Sequence, residues 1–306
     1  MEALRPLHAP GGILVVDYFE ERVRTNNPLT RPWIGFLHNV PEHPRFVSAV
    51  YGAEYDIPLA RVLASTTWAE SQPYCLGIFV LSSYVQRFLS PRTEVPVEAL
   101  YHATEFVAHT FDHERFLRNP DKKLILVGHW LRDFQCIFDI QVKRYQKLIL
   151  KCEPAVNYER ILAAVKPNAG VDLRPYASPE QYDILLGENV VFLPLFDSGA
   201  NNALIECIVR NTPVLINRLP AVVEYLGEHY PLYYGTLEEA ARKVENLDLV
   251  GEASAYLRAM NKERFSREHF VRSFRRSSIC RRLNMIVWLG RLLGIPRARR
   301  WVHGGQ

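Results

Sequence analysis

Residues 189–227 read NVVFLPLFDSGANNALIECIVRNTPVLINRLPAVVEYLG, and their order decides the fold. An apolar run to Phe196 reads as a buried strand. The polar loop Asp197-Ser198-Gly199-Ala200-Asn201-Asn202 then opens a helix, for which Asn is a favourable N-terminal cap. TPVLIN is the next strand, and RLPAVVEYLG supplies a further loop carrying Glu224. Strand, helix and strand in this order form the repeating unit of a parallel sheet. Free backbone N–H groups at a helix start favour anionic oxygens, which is the physics of diphosphate binding. Glu206 lies about one turn inside that helix, on the face of Asn202. A carboxylate there can accept two hydrogen bonds from a ribose diol.

The same alternation extends outward in both directions. Upstream, KKLILVGHW is a strand ending in Gly-His-Trp, LRDFQCIFDI is amphipathic, KLILKC is a strand, and VDLRPYASPEQYDILLGE contains a turn followed by a helix. LEEAARKVENL and the segment through Arg258 are helical by their i, i+3, i+4 apolar spacing. An earlier series comprises GGILVVDYF, PWIGFLHNVPEHP, CLGIFVLSSYVQRFL and VEALYHATEF, with a helical stretch through the fifties and sixties. The polar run FDHERFLRNPD, residues 111–121, reads as the linker between the two series. Two α/β halves leave a cleft between them, the default ligand site in open parallel sheets.

Composition agrees with a globular chain of two such halves. Of the 306 residues 48% are hydrophobic and 23% charged. No apolar run reaches the roughly 18–20 residues needed to cross a bilayer, and the N-terminus lacks the pattern of a secretory signal. Five widely spaced cysteines without CxxC or nearby His pairs argue against a disulfide scaffold or zinc site and suit a reducing cytoplasm. The net charge of +4 is uneven. From Lys262 onward twelve Lys and Arg face two Glu, a local balance of +10, so the remainder sums to −6 (4 − 10).

At residues 189–227 the chain resembles the C-terminal, donor-binding half of GT-B glycosyltransferases. The resemblance implies an α/β fold of two Rossmann-like domains facing across a cleft. It implies an N-terminal acceptor-binding domain over 1–117 and a nucleotide-sugar-binding domain over 118–265. A basic helical segment, 266–306, would pack back on the first. Retaining members carry Glu-x7-Glu on this helix. Glu206 matches the second Glu, which binds the nucleotide ribose, while the first position holds Ser198, beside Asp197. LILVGHWLRDF resembles the first strand and loop of the same domain, implying that the Gly128 turn and Arg132 approach the donor diphosphate. In the N-terminal half PWIGFLHNVPEHP, LSSY and ALYHATEF resemble segments of bacterial and viral glycosyltransferases.

The expected function is transfer of a sugar, hexosyl or deoxyhexosyl, from a nucleoside-diphosphate donor to a glycan or lipid-linked glycan hydroxyl. Donor residues would be Glu206, Asn201, Asn202, Ser198, Asp197, Arg132, Gly128 and Glu224. His38, after the strand WIGFL, is suited to take a proton from the acceptor near neutral pH. Glu42 and His43 follow it, and Asp17 and His102 are further candidates at strand ends. No metal or other cofactor is expected: no DxD motif occurs, and a helix dipole with Arg can neutralise a leaving diphosphate. The basic tail, with Trp288, Leu289, Leu292 and Leu293, would pack on the N-terminal domain or touch an anionic membrane surface. Nucleic acid is not an expected partner, for want of a matching motif. The alternatives are a catalytically degenerate binding module and a sugar-nucleotide 2-epimerase. The chain is short for GT-B, which suits a module of a longer polypeptide.

Overall fold

The computed structural model describes residues 12–151, 157–168, 170–175, 177–283 and 285. Its contacts group the chain into two compact units. The first holds described residues 12–42, 57–100 and those from 271 onward, and the second holds 43–56 and 101–270. The expected divisions at 117/118 and 265/266 therefore fall inside the second unit.

In chain order the first elements are β1 (Leu14–Val16), α1 (Phe19–Arg24), β2 (Trp33–Leu37), α2 (Arg45–Tyr51), α3 (Leu59–Ala64) and α4 (Thr66–Ser71). They are followed by β3 (Cys75–Val80), α5 (Ser83–Leu89) and β4 (Val97–Ala99). The four strands form one parallel sheet in sequential order, with Val16 opposite Gly35 where β1 meets β2. Its core is aromatic. Phe19 stacks on Trp33 at 4.6 Å, and Trp68 meets both edge-on.

The second series runs α6 (His113–Arg118), β5 (Lys123–Val127), α7 (Gln135–Asp139), β6 (Gln146–Leu150), α8 (Tyr158–Ala163), β7 (Val171–Arg174) and α9 (Pro179–Glu188). After these come β8 (Val190–Leu193), α10 (Asn202–Arg210), β9 (Val214–Asn217), α11 (Pro220–Leu226) and β10 (Tyr233–Tyr234). The helices α12 (Leu237–Glu245), α13 (Leu247–Ala259) and α14 (Arg267–Arg276) follow. Six parallel strands lie in the order β10-β9-β8-β5-β6-β7. Every residue of β8 is buried, as is β5 after Lys123, because a central parallel strand is covered on both faces; hence the unbroken apolar runs.

Three local readings change. The expected linker contains α6: Asp112 caps it by accepting from Arg115 N at 2.7 Å, and Phe111 and Phe116 are fully buried. Its polar residues lie on the exposed side of an amphipathic helix, which made the segment look like a tether. VDLR, at the head of a segment read only as a turn and a helix, adds strand β7. The strand expected to run to Phe196 stops at Leu193, where Pro194 cannot donate to the ladder.

The described part of the basic tail belongs to the first sheet. Phe274 packs on Phe79 of β3 at 5.1 Å, and Ser278 Oγ and Ile279 N both donate to Glu98 of β4. Gly77 makes room for it, since a Cβ there would lie 2.6 Å from the Ile279 side chain. Trp288, Leu289, Leu292 and Leu293 lie outside the described residues.

Candidate functional site

β5 has β6 on one side and β8 on the other. The chain leaves β5 in one direction through β6 and β7, then returns to extend the sheet the opposite way through β8. The carboxyl ends of β5 and β8 therefore flank the topological switch point, where ligands of open parallel sheets bind. The two loops that leave these strands are tied together. Phe196 N donates to Leu131 O at 3.0 Å and Asp133 N to Pro194 O at 2.9 Å. Asn217, closing β9, braces Leu195 from both sides, accepting from its N at 2.9 Å and donating to its O at 2.8 Å.

Gly128 and Arg132 are brought together here. Gly128 has φ +78°, and a Cβ on it would stand 2.8 Å from Arg132 Nη2, so this turn requires glycine on two counts. Arg132, only 6% exposed, folds back on its own loop. Nε donates to Val127 O at 3.0 Å, Nη1 to Trp130 O at 3.0 Å and Nη2 to Asn201 Oδ1 at 3.2 Å. It is a brace that carries positive charge to the start of α10.

Asn201 caps α10 by accepting from Leu204 N at 3.1 Å, so its side-chain oxygen serves both the helix and Arg132. Asn202, the first helical residue, is exposed. Asp197 accepts from Ser198 N at 2.7 Å, and Ser198 is 3% exposed. Glu206, half-buried one turn further on, accepts a 2.5 Å hydrogen bond from Tyr182 of α9 at Oε2. Burial raises the carboxyl's pKa, against the lowering pull of Tyr182, Arg210 and Arg132. Arg132 is tied to the helix that carries Glu206 through Asn201, which caps it. Loop, helix start and Glu206 thus form a single constellation on the second unit.

Other expected donor and catalytic residues are carried by different elements. Glu224 is not in a loop but on α11, where it accepts from Tyr101 Oη at 3.0 Å, with Arg264 5.4 Å over the Tyr101 ring. β4 ends at Ala99, so His102 lies beyond the strand and within the second unit. Its Nδ1 is buried with no hydrogen-bond partner among the described residues, and burial lowers its pKa, favouring the neutral ring.

In the first unit His38 and Asp17 follow the neighbouring strands β2 and β1, and Asp17 is exposed. Beside His38 stands Glu20, which the sequence reading missed. Its side chain, 1% exposed, accepts from His38 N at 2.6 Å and Asn39 N at 2.8 Å through Oε1. Burial pushes its pKa up to about 7, against the lowering effect of those backbone N–H groups. The Tyr18 ring lies 5.1 Å from that of His38.

His43 groups instead with the second unit. Its Nδ1 pairs with Asp56 Oδ1 at 3.0 Å and its ring meets Trp130 edge-on. The whole segment 43–56 covers the switch-point loops. Phe46 packs on Phe196 at 5.4 Å, and Tyr51 packs on Trp130 at 5.2 Å while donating to His129 O at 2.9 Å. Aromatic residues spaced through a Pro-rich loop and short helix were the available sign that the segment packs against something.

Among the described residues no group of three or more His, Cys, Asp or Glu is arranged to hold a metal ion, and no helix is long and apolar enough to cross a membrane.

No protein-family model matches the chain, and no curated protein matches it. Solved structures do. The sucrose-phosphate synthase of Thermosynechococcus elongatus aligns with TM-score 0.61 at 12% identity, covering 93% of this chain and 74% of its own. HepE of Anabaena, in complex with UDP and glucose, aligns with TM-score 0.58 at 9% identity over 90% of this chain and 77% of its own. TarM of S. aureus, in complex with fondaparinux, alpha-GlcNAc-glycerol and UDP, aligns with TM-score 0.59 at 13% identity; the match spans 90% of this chain but 55% of TarM. The fold is GT-B. In GT-B terms the described site lies on the second of two parallel-sheet units, at the strand ends where α10 begins.

Proposed function

We propose that this GT-B chain is a glycosyltransferase that binds a nucleoside-diphosphate sugar on its second unit and transfers the sugar to a glycan hydroxyl. The observation that carries the reading is the constellation at the switch point. A capped helix start backed by the Arg132 cation suits a diphosphate, and an oriented carboxylate one turn inside suits a ribose. UDP in the HepE and TarM complexes supports a nucleotide of this kind. The N–H groups at the start of α10 and the charge of Arg132 stabilise the departing diphosphate, whose negative charge grows as the glycosidic bond breaks. We assign to His38 the removal of the acceptor proton. Glu224, His102 and Asp17 have no part in this scheme.

A panel of nucleoside diphosphates tests the donor site by thermal shift. At least one is expected to raise the melting temperature, and Glu206→Ala to weaken its binding by about tenfold or more, the worth of a charge-assisted hydrogen bond. No response to any nucleotide would overturn the proposal. The charge carried by α10 and Arg132 replaces a metal in the scheme, so EDTA is expected to leave the shift unchanged.

A second reading, a module that binds without turnover, draws on Ser198. A buried serine stands where the Glu-x7-Glu pattern places a carboxylate. Incubation with UDP-glucose, followed by NMR of the released sugar, separates the two, since only an enzyme yields product with a defined anomeric configuration.

A further inference from the structure

We propose that Tyr182 is a positioning residue that makes the site select ribonucleoside over deoxyribonucleoside diphosphates, by fixing one oxygen of the Glu206 carboxylate and leaving the other for the sugar diol. The inference rests on the reading of Glu206 as the ribose residue.

The hydrogen bond from Tyr182 Oη occupies Oε2 of Glu206, while Oε1 accepts no hydrogen bond among the described residues. A carboxylate offers about four lone-pair sites. One is used, and those remaining suffice for two ribose hydroxyls.

The donor of that hydrogen bond is itself held. Tyr182 sits in the first turns of α9, a helix started by a full capping box in which Ser178 and Gln181 satisfy each other's backbone N–H. On one side of the ring stands Arg210, 7% exposed, its guanidinium 5.8 Å from the centroid. Arg210 is anchored in turn by Asp183, at 2.6 Å through Nη2 and 3.0 Å through Nε. Tyr182 to Glu206 and Asp183 to Arg210 are two adjacent cross-links between α9 and α10. The pair keeps the hydroxyl from following Glu206 if that side chain turns, so the carboxylate adopts one rotamer before any ligand arrives. Preorganisation of this kind lowers the ordering cost of binding, and only for a ligand that uses the carboxylate. A sugar lacking both hydroxyls gains nothing from it and leaves a partly buried carboxylate without its partners.

The test is calorimetric titration of wild type and Tyr182→Phe with UDP, ADP and GDP and with the 2′,3′-dideoxy counterpart of each. Phenylalanine keeps the ring against Arg210 and deletes only the hydroxyl. For the nucleotide that binds best, wild type is expected to prefer the ribose form by about tenfold or more. Tyr182→Phe is expected to reduce that preference about threefold to tenfold through weaker binding of the ribose form, with the dideoxy form unchanged. Equal weakening of both forms would assign Tyr182 a packing role and overturn the proposal, as would an unchanged preference. A wild type without any preference for ribose, or without binding, removes the Glu206 reading itself. That result differs from a wild type that discriminates and a variant that discriminates equally well.

Discussion

An Arg132→Ala variant is expected to be about 3–5 kcal/mol less stable than wild type and to lose its response to nucleotide. The guanidinium sits under the β5 loop and donates to Val127 O, Trp130 O and Asn201 Oδ1. Alanine leaves one buried and one partly buried carbonyl without that donor and frees the Asn201 side chain, which also caps α10. Each orphaned acceptor costs about 1–3 kcal/mol, and a poorly held cap adds about 1 kcal/mol. For a unit of this size the loss corresponds to a melting temperature lower by about 10 °C. Arg132→Lys is not expected to rescue it, because one ammonium cannot reach three acceptors spread around a planar fork. Thermal melts with and without nucleoside diphosphate measure both effects. A variant as stable as wild type would show that the brace contributes nothing.

The second large effect is a pH dependence. Glu20 has a pKa near 7 in the fold, against 4.5 ordinarily, because its carboxyl is buried. The folded chain therefore holds this proton more tightly than the unfolded chain does. The resulting stabilisation is fully present below pH 4.5 and is lost as pH rises through 7, amounting to about 3 kcal/mol. Glu20→Gln retains a carbonyl that accepts from His38 N and Asn39 N but does not titrate. Urea unfolding of both proteins at intervals from pH 5 to pH 8 is expected to show wild type losing about 3 kcal/mol relative to the variant. The phenol of Tyr18, whose own pKa is raised by burial and by Glu20, stays neutral throughout this range. Parallel stability profiles would mean that Glu20 is not buried as a proton-binding group.

What was legible in the sequence is what local physics determines. Continuous apolar runs marked the buried strands β5 and β8, and Asn201 marked the start of α10, because a cap and a two-sided burial pattern are encoded within a few neighbouring residues. Gly128 was legible as a turn but not as the space for a folded-back Arg132, since that contact depends on where the arginine goes. Arg132 itself reads as a phosphate ligand when only its neighbours in the chain are known. Its partner Asn201 is 69 residues away. Glu20 belongs to no motif, and its bonds to the turn after β2 depend on how β1 and β2 pair. Tyr182 and Glu206, 24 residues apart, meet because α9 and α10 flank the same strand.

The excursion of residues 43–56 bears on how this protein can be divided. The chain passes from one unit to the other at 42/43, 56/57, 100/101 and 270/271. A fragment cut at 101 and 270 would carry the whole six-stranded sheet and yet lack Phe46, Tyr51 and His43. Phe196, Trp130 and His129 would then lose the partners that 43–56 gives them at the switch-point loops, and such a piece is expected to be less stable than the intact unit. Exchange of the six-stranded sheet with that of another GT-B chain by swapping the C-terminal half would meet the same obstacle. A successful chimera has to carry fourteen residues (43 to 56) from the other end of the gene along with the half it transplants.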